Sequence, residues 1–258
     1  MDPSAVLTDV ARAGPFFTVR TGPDRHPDPG CRPVADLYAE RPDPGAAIAS
    51  GSSGCGPGDR VLAQRIAHVR RVLGSDDRVA ASITFQGLAA LLVSAPFAAA
   101  VVHAVLPELT ARTLHWAPSA DGPWALWSPD PAGRAVPDVD AAAAGLAAAL
   151  LDGHLAPLVT AVRAQAAVSP RVLWGNAAST IAAARRMVAQ HWPGSADRAA
   201  AVARRLLDEP ALADLGELLA PQPPDRHWTY RRRTCCLYYR ARDGLCGDCV
   251  LADAPARR

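Results

Sequence analysis

The sequence predicts an α+β fold that is predominantly α-helical: a helical body, one small antiparallel β element and a C-terminal cysteine loop. Three observations carry this expectation. Apolar residues recur at helical spacing through most of the chain between residues 59 and 207, in segments opened by Asp, Ser or Pro. Residues 113–128 read instead as two short strands around an Asp-Gly turn. Four of the six cysteines fall between residues 235 and 249. With 258 residues, half of them apolar, the chain can bury a real core.

The elements follow in order. Ala5 to Ala13 is a short amphipathic stretch and Phe16–Arg20 a brief β-like run. TGPDRHPDPG, RPDPG and GSSGCGPGD are loops on turn chemistry; the last lacks the G-K-[ST] ending of a phosphate-binding loop. Asp59 caps a helix with the stripe Val61, Leu62, Ile66, Val69 and Leu73. Asp76 or Asp77 caps the next, through Val79, Ile83, Leu88 and Leu92. Ser94 and Pro96 are expected to restart it as a third helix to about Leu106, stopped by Pro107. The hairpin comes next, TLHWAP and PWALWSP around Asp121-Gly122; Leu114 and Trp116 share one face, as do Trp124 and Leu126.

Asp138 or Asp140 then caps a helix to about Leu151, with Gly153 as its left-handed stop. A second runs to about Ala167, and Ser169-Pro170 opens a third through Val188. Ser195 starts a fourth to Leu207, and Pro210–Leu219 reads as a short fifth. PQPPD at 221–225 is a hinge. The expected organisation is a loop-rich N-terminal segment 1–58, a mainly helical substrate-binding body 59–220 and a cysteine segment 225–258.

Composition excludes several classes. Every one of the 27 basic residues is arginine, and the net charge is only +2. No arginine stripe interleaves with aromatics, so no nucleic-acid partner is expected. No G-x-G-x-x-G fingerprint supports a bound nicotinamide or flavin. The N-terminus has neither a basic n-region nor an apolar h-region, so a chain without a signal peptide in a reducing cytoplasm is expected. Gly87 to Leu106 approaches the length of a membrane span. Its alanines, Ser94, His103 and Pro96 favour buried core helices, and no transmembrane segment is expected.

The chemistry concentrates in RRRTCCLYYRARDGLCGDCVL. Cys235 and Cys236 are vicinal; after nine intervening residues Cys246 and Cys249 form a C-x-x-C pair. Thiolates favour zinc or iron–sulfur centres. A structural zinc site tends to use two C-x₂₋₄-C knuckles, and only one half here is a knuckle. Adjacent side chains diverge, which suits a two-iron rhomb better than one small ion. Zinc, and a pair of disulfides, stay open on geometry alone.

Together with SAPFAAAVVHAVLPEL, LHW, VLWGNAAST and RRTCCLYYR, the cysteine pattern resembles the FhuF-type ferric-siderophore reductases, over roughly residues 60–252. The family's usual spacer is one residue longer than Leu237–Leu245. The resemblance implies a [2Fe–2S] cluster on Cys235, Cys236, Cys246 and Cys249. It implies one-electron reduction of Fe(III) held by a hydroxamate siderophore, with release of Fe(II). An external donor such as a ferredoxin or flavin reductase would recharge the cluster, in the cytoplasm and transiently at the inner membrane face. The competing functions are a zinc-stabilised interaction protein and an iron–sulfur sensor or carrier without a siderophore substrate.

Around the cysteines, Arg231, Arg232, Arg233, Arg240 and Arg242 are candidates for offsetting cluster charge or docking an acidic donor. Four thiolates and two sulfides against two Fe(III) leave about −2, and about −3 after reduction. Gly175-Asn176, beside Trp174 in a helical run, signals close packing; Trp174 and Asn176 are candidates for touching substrate or the cysteine loop. His103 and Trp116 read as core residues, and Cys31 and Cys55 lie outside the site.

Overall fold

The computed structural model describes residues 1–22, 31–39, 61–117, 119, 122–221, 223–224, 226–241 and 244–252. The first helix, α1 (Pro3–Val10), is capped by the Asp2 carboxylate, which accepts from the Ser4 and Ala5 amides. The β-like run expected at Phe16–Arg20 forms as a shorter strand that starts three residues later and ends one residue later. Pro15–Phe17 is a 3₁₀ turn, and β1 is Val19–Thr21. After β2 (Arg32–Pro33) and α2 (Val34–Ala39), α3 spans Val61–Leu73. Asp59 and Cys55 lie outside the described residues.

The centre of the molecule is α4, Asp77–Val102. The break expected at Ser94–Pro96 does not form: the helix runs through Pro96 as one element of 26 residues. An interior proline forfeits one hydrogen bond and crowds the preceding turn. Burial outweighs that cost here, because every residue from Leu91 to Val101 is buried. Ser94 adapts by donating its hydroxyl to the Ala90 carbonyl at 2.7 Å. Asp76 caps the helix through the Val79 amide at 2.8 Å. α4 ends at Val102; Ala104 turns the chain with φ 54°, and β3 (Val105–Pro107) follows where helix was expected.

The hairpin β4 (His115–Ala117) and β5 (Ala125–Ser128) pairs Trp116 with Leu126. Asp121 of its turn lies outside the described residues. Trp116 stacks on Trp124 with ring centroids 4.5 Å apart, and both are buried. β2 adds antiparallel to β4, and β1 adds parallel to β5, so the sheet is mixed, ordered β1-β5-β4-β2. β6 (Gly133–Ala135) pairs antiparallel with β3.

Asp138 caps α5 (Val139–Leu146). Gly153 does not stop the helix that follows. Ala147–Leu155 is a π-helical stretch that continues directly into α6 (Ala156–Gln165). The wider turn carries His154 into the interior. Its Nε2–H donates to the Leu109 carbonyl at 2.6 Å, and Nδ1 accepts from the Tyr38 hydroxyl at 2.8 Å. Burial lowers the His154 pKa and raises that of Tyr38. Among the described residues, two helices are long and apolar enough to cross a membrane, Asp77–Val102 and Val139–Gln165. The fold buries 78% and 56% of their most apolar windows.

α7 (Pro170–His191) packs along α4 more extensively than any other pair of elements, and α8 (Ala196–Leu207) packs on α7 and α5. The short helix expected at 210–219 is absent: Glu209–Ala213 form turns, and β7 (Gly216–Leu219) pairs with β8 (Thr229–Arg232). A single helical turn is costly to nucleate, whereas the strand gains a ladder and a packed ring. The Tyr230 ring occupies the space a Cβ at Gly216 would need. The PQPPD segment is thus the connection of a β-hairpin, with residues 222 and 225 outside the described set.

Phe85 is fully buried in α4, and Val72 is 58% exposed. Phe85→Ala is expected to cost about 3–5 kcal/mol and Val72→Ala no more than about 0.5 kcal/mol, read from urea unfolding midpoints at matched slope.

Candidate functional site

The cysteine segment starts where β8 ends. Cys235 and Cys236 leave the strand, and Leu237 turns the backbone into the left-handed region at φ 69°. A 3₁₀ turn, Tyr238–Arg240, follows. The reversal aims two successive amides backward. Leu237 N–H donates to Cys235 Sγ at 3.4 Å, and Tyr238 N–H donates to Cys236. The C-x-x-C half repeats the pattern, with Leu251 N–H on Cys249 Sγ at 3.3 Å and the turn closed from Cys249 N–H to the Cys246 carbonyl at 3.1 Å.

The two halves meet. Cys236 Sγ and Cys246 Sγ lie 3.5 Å apart, and Cys246 is coupled in turn to Cys249. Cys236 and Cys249 are buried, Cys235 and Cys246 half-buried. As thiols, Cys236 and Cys246 share a proton. Hydrogen bonding from Cys246 holds the Cys236 pKa down to about 7, and the same bond pushes Cys246 up. Burial raises Cys249. Among the described residues, no three His, Cys, Asp or Glu side chains converge tightly enough for a single ion. Cys31 precedes β2 in the mixed sheet.

The segment is held by a buried polar chain. Asn176, on α7 and fully buried, donates Nδ2–H to the Ser82 carbonyl and hydroxyl oxygens, both at 2.9 Å. Ser82, on α4, donates its hydroxyl to the Cys236 carbonyl at 2.8 Å. The Asn176 Oδ1 accepts from Arg232 Nη2 at 2.5 Å. One helix position away, Gly175 gives Thr234 room: a Cβ there would collide with the Thr234 hydroxyl and come within 2.9 Å of its Cβ. The helical glycine thus serves the cysteine segment rather than a helix–helix contact. Trp174 is half-buried against the apolar core. Ser82 and Thr234 carried no signal of their own in the sequence, since a lone hydroxyl, whether in a helical run or beside the cysteine pair, has no spacing to read.

The flanking arginines separate. Arg232 is 1% exposed and interacts electrostatically with Cys236, Cys246 and Cys249. Arg231 is half-buried and lines a cavity. Arg233 faces Asp214 at 3.7 Å and Glu217 at 4.0 Å. Arg240 pairs with Asp76 at 2.9 Å, tying the loop to the start of α4. Arg242 lies outside the described residues. Tyr238 is half-buried, and Tyr239 is exposed at the surface. The cavity, about 450 Å³, opens beside Cys246 and Cys249 between α4, α7 and β8.

A family model described as ferric iron reductase FhuF-like transporter matches residues 85–232. A second, the FhuF 2Fe-2S C-terminal domain, matches residues 232–251. Among curated proteins, none matches the chain. The cofactor of the C-terminal segment is a [2Fe–2S] cluster. The residues present fit such a group. Arg232 Nε and Nη1 are buried with no hydrogen-bond partner among the described residues. Unanswered donors on a buried cation are costly, and a dianionic centre beside these thiols answers them.

Gly175→Ala is expected to overpack the contact with Thr234, costing about 1–3 kcal/mol and lowering iron and sulfide per chain. Thr234→Ala in the same chain removes the colliding hydroxyl and should restore part of the cluster content; no recovery would place the Gly175 effect elsewhere.

Proposed function

The chain belongs to the FhuF-like ferric iron reductase family, and on that premise we propose that it is a cytoplasmic, iron–sulfur ferric-siderophore reductase. The carrying observation is one juxtaposition. A buried guanidinium, Arg232, acts on three of four clustered thiols, and beside those thiols a cavity large enough for a small molecule opens. In this reading Cys235, Cys236, Cys246 and Cys249 are the cluster ligands. The cluster supplies one electron at a time to an Fe(III) chelate.

The chain's own residues have three tasks. The amides of Leu237, Tyr238 and Leu251 donate to sulfur and favour the thiolate form needed for ligation. Asn176 orients Arg232 and, through Ser82, holds the Cys236 backbone. Arg232 offsets negative charge from within the protein, where water screens little. Each turnover oxidises an external donor, such as a ferredoxin or flavin reductase, by one electron and reduces one chelated Fe(III) to Fe(II). Hard hydroxamate oxygens hold Fe(II) far less tightly, so iron leaves for cellular ligands. No general acid or nucleophile is needed.

Anaerobically purified protein is expected to be red-brown, with two irons and two sulfides per chain, and to yield trapped Fe(II) from a ferric hydroxamate when reduced. Cys249→Ser should lose cluster and activity, and Cys31→Ser should keep both. Stoichiometric zinc without sulfide would sink the proposal. Arg232→Gln, which keeps a donor toward Asn176, should lower the midpoint potential. A unit charge close by at an effective dielectric of about 20 contributes on the order of 1–4 kcal/mol, so a drop of tens of millivolts or more is expected for one electron. An unchanged potential in spectroelectrochemical titration would remove Arg232 from that role.

A further inference from the structure

Two cavities adjoin along α7. The first, about 450 Å³, reaches the Cys246–Cys249 turn. The second, about 580 Å³, lies between α7, the start of α8 and the β7–β8 connection. Arg186 and Thr229 line both, so the two form one cleft that leads away from the cysteines. Each is in the size range of small-molecule sites.

Charge along this cleft is graded. Its one carboxylate among the described lining residues is Asp248, inside the C-x-x-C turn. Going outward, the charged walls are guanidinium groups: Arg231 near the cysteines, Arg186 at the junction and Arg226 at the far end. Arg185 is committed to the wall itself, with Nη2 on the Trp228 carbonyl at 2.9 Å and its guanidinium 4.7 Å over the Trp228 ring. His227 is engaged by Asp197 at 2.8 Å. Arg186 and Arg226 are exposed. Guanidinium groups only donate, so such walls match a ligand whose periphery only accepts. Pro193, Pro223 and Pro224 add apolar surface for an organic arm.

We propose that this cleft seats the ferric chelate with its iron toward Cys246 and Cys249, and that Arg186 and Arg226 select a chelate whose free end is anionic. The proposal rests on the ferric-siderophore reductase reading and names the substrate class of that same site: an oxygen-chelated Fe(III) complex with a carboxylate-bearing arm. The concavity favours a small molecule over an acidic protein donor, whose docking face would be broad and shallow.

The test uses two gallium(III) trihydroxamates that share one coordination unit and differ only in a free ammonium or a free carboxylate end. Gallium is not reduced, so binding is read apart from electron transfer. Each is titrated into cluster-loaded protein by tryptophan fluorescence, with the visible spectrum reporting an intact fold. Wild type is expected to bind the carboxylate form about tenfold more tightly, the effect of changing one or two partly exposed pairs from repulsive to attractive. Arg186→Glu should abolish or reverse the preference, Arg186→Gln should weaken it, and Arg112→Glu, outside the cleft, should keep it. Equal binding of both forms by wild type, or an undiminished preference in both Arg186 variants, overturns the proposal. So does an Arg186→Glu variant that changes only the affinity for a reduced protein donor. Charge preference in wild type without Fe(II) release from the iron forms would instead reject the reductase reading and leave the cleft standing.

Discussion

The Asn176 carboxamide is where α4, α7 and the cysteine segment meet, and the rest of the site depends on its being satisfied on both sides. Its nitrogen donates to Ser82 and its oxygen accepts from Arg232. Ser82 passes the link on to the Cys236 backbone. A buried amide leaves little tolerance, because each unpaired polar atom there costs about 1–3 kcal/mol. The geometry of the loop is therefore referred to the two most extensively packed helices of the molecule. The segment has too few apolar residues to build a core of its own, so its order is borrowed from the body.

Three consequences follow from that anchoring. Thr234 is drawn against α7 so closely that only glycine fits at position 175. Arg232 is carried into the interior as part of β8, next to the thiols and away from solvent. The C-x-x-C turn is set on the rim of a cleft along the same helix. Cluster binding, charge compensation and substrate access in the proposed reductase thus share a single scaffold. Arg240 adds a second tie by pairing with Asp76, the residue that caps α4.

Much of the helical body was legible in the sequence, because amphipathic spacing and caps are local. Asp76, Asp138 and Ser169-Pro170 stand at the helix starts they signal. The misreadings share one cause, which is tertiary override of a local signal. Pro96 reads as a boundary, yet burial on all sides carries α4 through it. Gly153 reads as a stop, yet the chain widens into a π turn that buries His154. Gly216–Leu219 reads as the end of a helix, yet a partner strand some ten residues on and the Tyr230 ring make it a strand.

At the site, the sequence by itself determined the chemistry. Four thiols in one short segment supply a soft donor set that favours zinc or an iron–sulfur centre, since ligand type and spacing are properties of the chain. It also marked Gly175-Asn176 as out of place in a helix and offered substrate or the cysteine loop as contacts, without choosing between them. Only the tertiary structure decided which of the four described arginines is buried beside the thiols, which pair with carboxylates, and where the cleft opens. Those outcomes turn on contacts between residues as distant in sequence as Ser82 and Cys236, and on how deeply each charge is removed from water. Neither quantity has a local signature, because both arise only when separate elements pack together.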